Sequence, residues 1–72
     1  MNCKDRIIKI ASEEFPGSTV NFDDTVGKII KFRIDDGSGA VLSKLFPYFL
    51  PSEIDDFSDQ KLRAIIRTTC GF

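Results

Sequence analysis

Residues 18–36, STVNFDDTVGKIIKFRIDD, hold two runs of alternating apolar and polar side chains separated by a glycine turn. Alternation with period two marks a half-buried strand, so the stretch predicts a β-hairpin with one dry face and one wet face. Val20 and Phe22 must share the dry face with Ile30, Phe32 and Ile34, because a one-residue slip carries a whole strand's side chains across the sheet. Pairing Phe22 with Ile30 meets that condition. It makes Thr25-Val26-Gly27 a three-residue loop with Gly27 in the left-handed position, which glycine adopts without steric penalty. It also sets Asn21 beside Lys31 and Asp24 beside Lys28, and leaves Ile29, Lys31 and Arg33 on the wet face.

Helices are expected on both sides. Residues 4–15 place Ile7, Ala11 and Phe15 on one stripe with Ile8 beside it, and Arg6, Lys9 and Glu13 on the opposite side. Asn2 is placed to cap the start, and Pro16-Gly17 closes the helix because proline has no amide to continue the ladder. Beyond the hairpin, Asp36-Gly37-Ser38-Gly39 is a turn in which Ser38 is the expected N-cap of a short helix over 40–46, ended by Pro47. Ser52 with Asp55 suggests a single capped turn, and Ser58 with Asp59 opens a last helix to about Thr69. That helix carries Leu62, Ile65, Ile66 and Thr69 on one face and Gln60, Arg63 and Arg67 on the other.

The expected fold is therefore one α+β domain over residues 1–72, ordered α-β-β-α-α. Two main helices and a short middle helix pack on one face of a small antiparallel hairpin sheet. Two strands alone are marginal, so either residues 68–72 add a strand or the hairpin pairs with a second copy, and the second is preferred. A chain this short buries only about 60% of the surface it exposes when unfolded, which favours a homodimer. The order of a helix, a Phe-Pro stop and a hairpin is loosely similar to BolA-like and KH-like domains. With no GXXG loop, no histidine and no clear third strand, no family is assigned. The S-x-x-F-P match between 12–16 and 43–47 is read as helix-stop chemistry rather than a repeat.

Composition narrows function. Ten Lys and Arg against eleven Asp and Glu give a net charge of −1, with no bulk attraction to nucleic acid or anionic membrane. No apolar run is long enough for a membrane span and the N-terminus lacks the apolar core of a signal peptide, so a cytoplasmic chain is expected. There is no histidine, hence neither the commonest general base nor the commonest metal ligand. The Asp-Asp pairs at 23–24, 35–36 and 55–56 lack the spacing of a calcium loop and read as turn and cap residues. The turn at 35–40 lacks a following Gly-Lys-Ser/Thr, and its aspartates repel a phosphate. No catalytic residue, metal or cofactor is expected.

Cys3 and Cys70 match neither a disulfide framework nor a metal spacing. Antiparallel packing of the outer helices would bring them together; parallel packing would match the charges along both helices. Two surface candidates remain. Ile29 with Tyr48, Phe49 and Leu50 forms a candidate protein or dimer interface. Lys31, Arg33, Arg63 and Arg67 form a candidate nucleic-acid patch, with Asp59 at helical spacing from Arg63 as a competing partner. The expected function is a non-enzymatic protein-binding or regulatory module, with nucleic-acid binding as the alternative.

Overall fold

A computed structural model describes residues 2–23 and 27–71. In chain order it contains α1 (Cys3–Glu14), β1 (Thr19–Asp23), β2 (Ile30–Asp35), β3 (Tyr48–Phe49), α2 (Pro51–Asp56) and α3 (Asp59–Thr69). The strands form one antiparallel sheet in the order β1-β2-β3. The fold is the expected small α+β architecture, with its two longer helices and one short helix on a small antiparallel sheet.

Helix boundaries follow local chemistry. Asn2 Oδ1 accepts from the Asp5 amide at 2.8 Å, and Ser58 Oγ accepts from the Lys61 amide at 3.1 Å, so both expected caps form. α2 begins with Pro51, and the Leu50 amide before it donates to Glu53 Oε1 at 2.9 Å. Ser52 is thus inside the helix and Glu53 satisfies its entry.

The core lies between helices and sheet. Ile7, Ile10 and Ala11 of α1, Phe32 and Ile34 of β2, Ile54 of α2, and Leu62 and Ile66 of α3 are all buried, joined by Cys70. Val20, Phe22 and Ile30 pack against this cluster, so the predicted dry face meets the helices as a set. Arg6 contacts Asp59, while Glu13 and Glu14 contact Arg63, so the partners on α3 advance as α1 advances. The two helices run in the same sense, as their charges suggested. Cys3 and Cys70 consequently lie at opposite ends, and both are free thiols.

Three expectations are corrected. The register pairs Phe22 with Phe32, Asn21 with Arg33 and Asp23 with Lys31, two residues from the expected pairing. An even slip leaves every side chain on its predicted face, so periodicity does not distinguish the two. Gly27 has φ +70° as expected, whereas Asp24, Thr25 and Val26 lie outside the described residues.

Residues 40–46 form no helix. Asp36 rather than Ser38 is the capping group: its Oδ1 accepts from the Ser38 amide and hydroxyl, both at 2.8 Å, and from the Ala40 amide at 3.0 Å. This closes an Asx turn that sends the chain back along β2 instead of into a helix. Val41 then bridges to Asp35, and the Leu42 and Ser43 amides donate to the Ile34 carbonyl. The turn is tight enough that a Cβ on Gly37 would meet the Gly17 carbonyl oxygen at 2.9 Å. The Phe46-Pro47 step is consequently no helix stop.

Within the chain the third strand is not supplied by the C-terminal residues, of which 68–71 are described. It is Tyr48–Phe49, inside the apolar linker, while Thr68 and Thr69 stay in α3. The middle helix of the fold is α2, at 51–56.

Candidate functional site

The outer sheet face carries Asn21, Asp23, Lys31, Arg33 and Asp35 opposite the buried Phe32 and Ile34. Arg33 does not stand free there. Its Nε lies 2.9 Å from Asp35 Oδ1 and its terminal nitrogen donates to Asp35 Oδ2 at 3.0 Å. The Asn21 carboxamide donates to the same Oδ2. Asp35 Oδ1 is buried with no aligned hydrogen bond, so its contact with Arg33 is an ion pair in close approach. Asp35 is buried and its backbone bridges to Val41, so this triad fixes the end of the sheet and offers no open carboxylate to a ligand.

Arg63 lies on the helical side. It donates to Glu13 Oε1 at 2.9 Å and Glu14 Oε1 at 3.2 Å, and those hydrogen bonds hold its guanidinium firmly protonated, above its ordinary pKa. This pairing relieves two carboxylates that end α1, where the helix dipole disfavours negative charge. The expected Asp59–Arg63 pair is not what forms, because Asp59 faces Arg6. Arg67 is exposed one turn further along α3. Lys31 and Arg33 therefore belong to one side of the molecule and Arg63 and Arg67 to the other, and two of the four cations are already committed to carboxylates.

Apolar surface is more concentrated. Among the described residues the exposed large apolar side chains are Ile8, Val41, Leu45, Phe46, Tyr48 and Leu50, and all but Ile8 fall within 41–50. Two faces result. Phe46 borders a 360 Å³ pocket on the outer sheet face with Asn21, Asp23, Lys31 and Arg33. Leu45 and Pro47 border a 370 Å³ groove against Ala64, Ile65 and Thr68 of α3, an apolar floor with Lys61 at its edge. Of the predicted interface residues, Tyr48 is 65% exposed and Leu50 46%, so both are available. Phe49 packs on the core, its ring edge-on to Phe57 at 5.3 Å. Ile29 is half-buried before β2, beside Phe22, Lys28 and Pro51. Val41, Leu45 and Phe46 are not among the surface candidates the sequence suggests, because they fall within the short helix expected over 40–46.

The thiols are poorly suited to chemistry. Burial, reinforced by a hydrogen bond to Asp55 at 3.1 Å, raises the Cys3 pKa, and burial raises that of Cys70. No group of His, Cys, Asp and Glu able to hold a metal ion occurs among the described residues. No described helix is long and apolar enough to cross a membrane. Comparison with known protein families, curated proteins and solved structures finds no match for this chain.

Proposed function

We propose that this chain is a cytoplasmic protein-binding module that works as a homodimer and performs no catalysis of its own. The observation that carries the reading is the exposure of Val41, Leu45, Phe46, Tyr48 and Leu50 within one ten-residue stretch of chain, with Leu45 at the edge of an apolar groove. Scattered apolar residues are ordinary on a protein surface, but neighbouring ones beside an apolar groove mark a recognition surface. Leu45 and Pro47 supply one wall of such a groove, and Ala64 and Ile65 supply the other.

Affinity capture from the native cell, run in parallel with wild type and Leu45→Glu, tests the binding claim. Proteins retained by wild type and lost with the variant support it; identical profiles for the two overturn it. Sedimentation across a concentration series tests the dimer independently.

One observation favours nucleic acid as a second reading: Phe46 stands beside Lys31 and Arg33, and an aromatic ring next to cations is the arrangement on which single-stranded bases stack. Arg63 and Arg67 take no part in it. Binding of single-stranded oligonucleotide at low salt, lost with Phe46→Ala, supports this reading, and no binding removes it.

A further inference from the structure

The sheet has two edges of very different character. β3 is two residues long, preceded by Pro47 and followed after Leu50 by Pro51, and so short an edge between prolines resists further pairing. β1 has five residues, no proline and no lysine.

Which of its backbone groups are open follows from the other side of β2. The Phe32 amide donates to the Pro47 carbonyl, the Ile34 amide to Ser43 Oγ, and the Ile34 carbonyl accepts from Leu42 and Ser43. Phe32 and Ile34 thus turn their backbone groups away from β1. In an antiparallel ladder the hydrogen-bonded pairs alternate with the others, so Lys31, Arg33 and Asp35 bond Asp23, Asn21 and Thr19. Val20 and Phe22 point their N–H and C=O groups outward, with no partner among the described residues.

We infer that β1 is the seam of the homodimer, pairing antiparallel with β1 of a second copy about a two-fold axis at Asn21; this rests on the homodimeric reading proposed above. The strand is self-complementary in this register. Val20 faces Phe22 of the second copy in a hydrogen-bonded pair, and the symmetry repeats it. All the open groups are satisfied by four hydrogen bonds, two from each pair. Thr19 faces Asp23 of the second copy, so no like charges oppose. Shifting the axis to Val20 sets Phe22 against Ser18, whose amide is already bonded to the Phe15 carbonyl at 3.0 Å. An odd shift places Val20 and Phe22 against the wet face.

A second feature points the same way. Lys4 Nζ lies 5.1 Å from the centre of the Phe22 ring, and Ile8 is the next residue on that stripe of α1, one turn along. Ile8 is 45% exposed, so an uncovered apolar side chain flanks the open edge on the helical side. A continuous sheet across the axis brings α1 of each copy to that side and covers Ile8.

The register makes Val20→Pro a useful probe: the proline removes an outward N–H and leaves the β1–β2 bonds in place, and the Val20 side chain it replaces is only half-buried against the core. Sedimentation of wild type and Val20→Pro is the first arm. The expected result is a wild-type dimer whose dissociation constant rises about 100-fold or more in the variant, since two of the four bonds and the close approach of the strands are lost. The second arm is Asn21→Cys in a Cys3→Ser, Cys70→Ala background. Facing residues of a non-hydrogen-bonded pair have Cα atoms about 4.5 Å apart, within the range a disulfide spans, so mild oxidation gives a covalent dimer. If wild type dimerises while Val20→Pro dimerises equally well and Asn21→Cys does not cross-link, the seam is overturned and the homodimer stands on another surface. A wild-type monomer at high micromolar concentration overturns both. Should Val20→Pro fail to fold, the cross-link alone decides.

Discussion

Ser43 Oγ accepts a hydrogen bond from the Ile34 amide at 2.7 Å and returns one to the Ile34 carbonyl at 3.3 Å. One buried side chain thereby stands in for a strand residue on the free side of β2. The Ile34 carbonyl also accepts from the Leu42 and Ser43 amides, which fastens the returning chain to the sheet. Ser43→Ala leaves the Ile34 amide buried without a partner, at a cost of about 1–3 kcal/mol. Urea denaturation measures it; a change under about 0.5 kcal/mol contradicts this role for Ser43.

Arg6 ties three elements together. Its guanidinium donates to the Ile54 carbonyl at 2.7 Å, the Phe57 carbonyl at 2.8 Å and Asp59 Oδ1 at 2.9 Å, with its side chain 18% exposed. The two carbonyls end α2, where a cation is favoured by the helix dipole. Arg6→Ala is expected to cost about 2–3 kcal/mol because charged hydrogen bonds to backbone are lost. Asp59→Ala removes a partner that is 77% exposed and is expected to cost under about 1 kcal/mol. Equal effects in chemical denaturation would falsify this division of roles. Arg6→Lys does not restore the wild type, since an ammonium lacks the planar fork that reaches all three oxygens.

Acid should weaken the turn at 36–40. The Ser38 hydroxyl, followed by backbone amides of Ser38, Ala40 and Gly39, holds the Asp36 carboxyl below its ordinary value of 3.8. A carboxylate whose folded pKa is depressed stabilises the fold above its unfolded pKa. That contribution disappears as pH falls from 3.8 through the lower folded value. Asp36→Asn keeps the acceptor oxygen and removes the charge. Melting temperatures followed by circular dichroism should show wild type above the variant near neutral pH, with the gap closing below pH 3.8. A gap constant with pH would sink the argument.

The two thiols should remain reduced and slow to react. Burial raises both pKa values, and Asp55 adds to that of Cys3. Denatured, unreduced protein is expected to titrate two free thiols, while native Cys70, 4% exposed, reacts only at the rate of opening. Fast native modification of Cys70 would show that its pocket beneath residue 43 opens readily.

Which faces are buried was legible from local pattern: Ile7 and Ala11, Phe32 and Ile34, Leu62 and Ile66 all enter the core from the stripes the sequence draws. The candidate surface was half legible. Tyr48 and Leu50 are exposed as expected, yet Phe49 between them turns inward because a strand alternates its side chains. Leu45 and Phe46 fall in the short helix expected over 40–46, and their exposure could not be inferred without knowing that Asp36 closes a turn first.

What the sequence determined by itself is parity and caps: which residues of β1 and β2 share a face, and that Asn2 and Ser58 begin α1 and α3. These are local, set by a period of two and by side chains within three residues of the amides they satisfy. Tertiary structure alone decided the two-residue slip of the hairpin, the strand at Tyr48–Phe49 and the open edge of β1. Period-two patterns are unchanged by an even shift, and a strand's partner is chosen by backbone groups that every sequence shares. Here Ser43, Leu42 and Pro47 occupy one side of β2, and that occupancy leaves Val20 and Phe22 facing outward on β1.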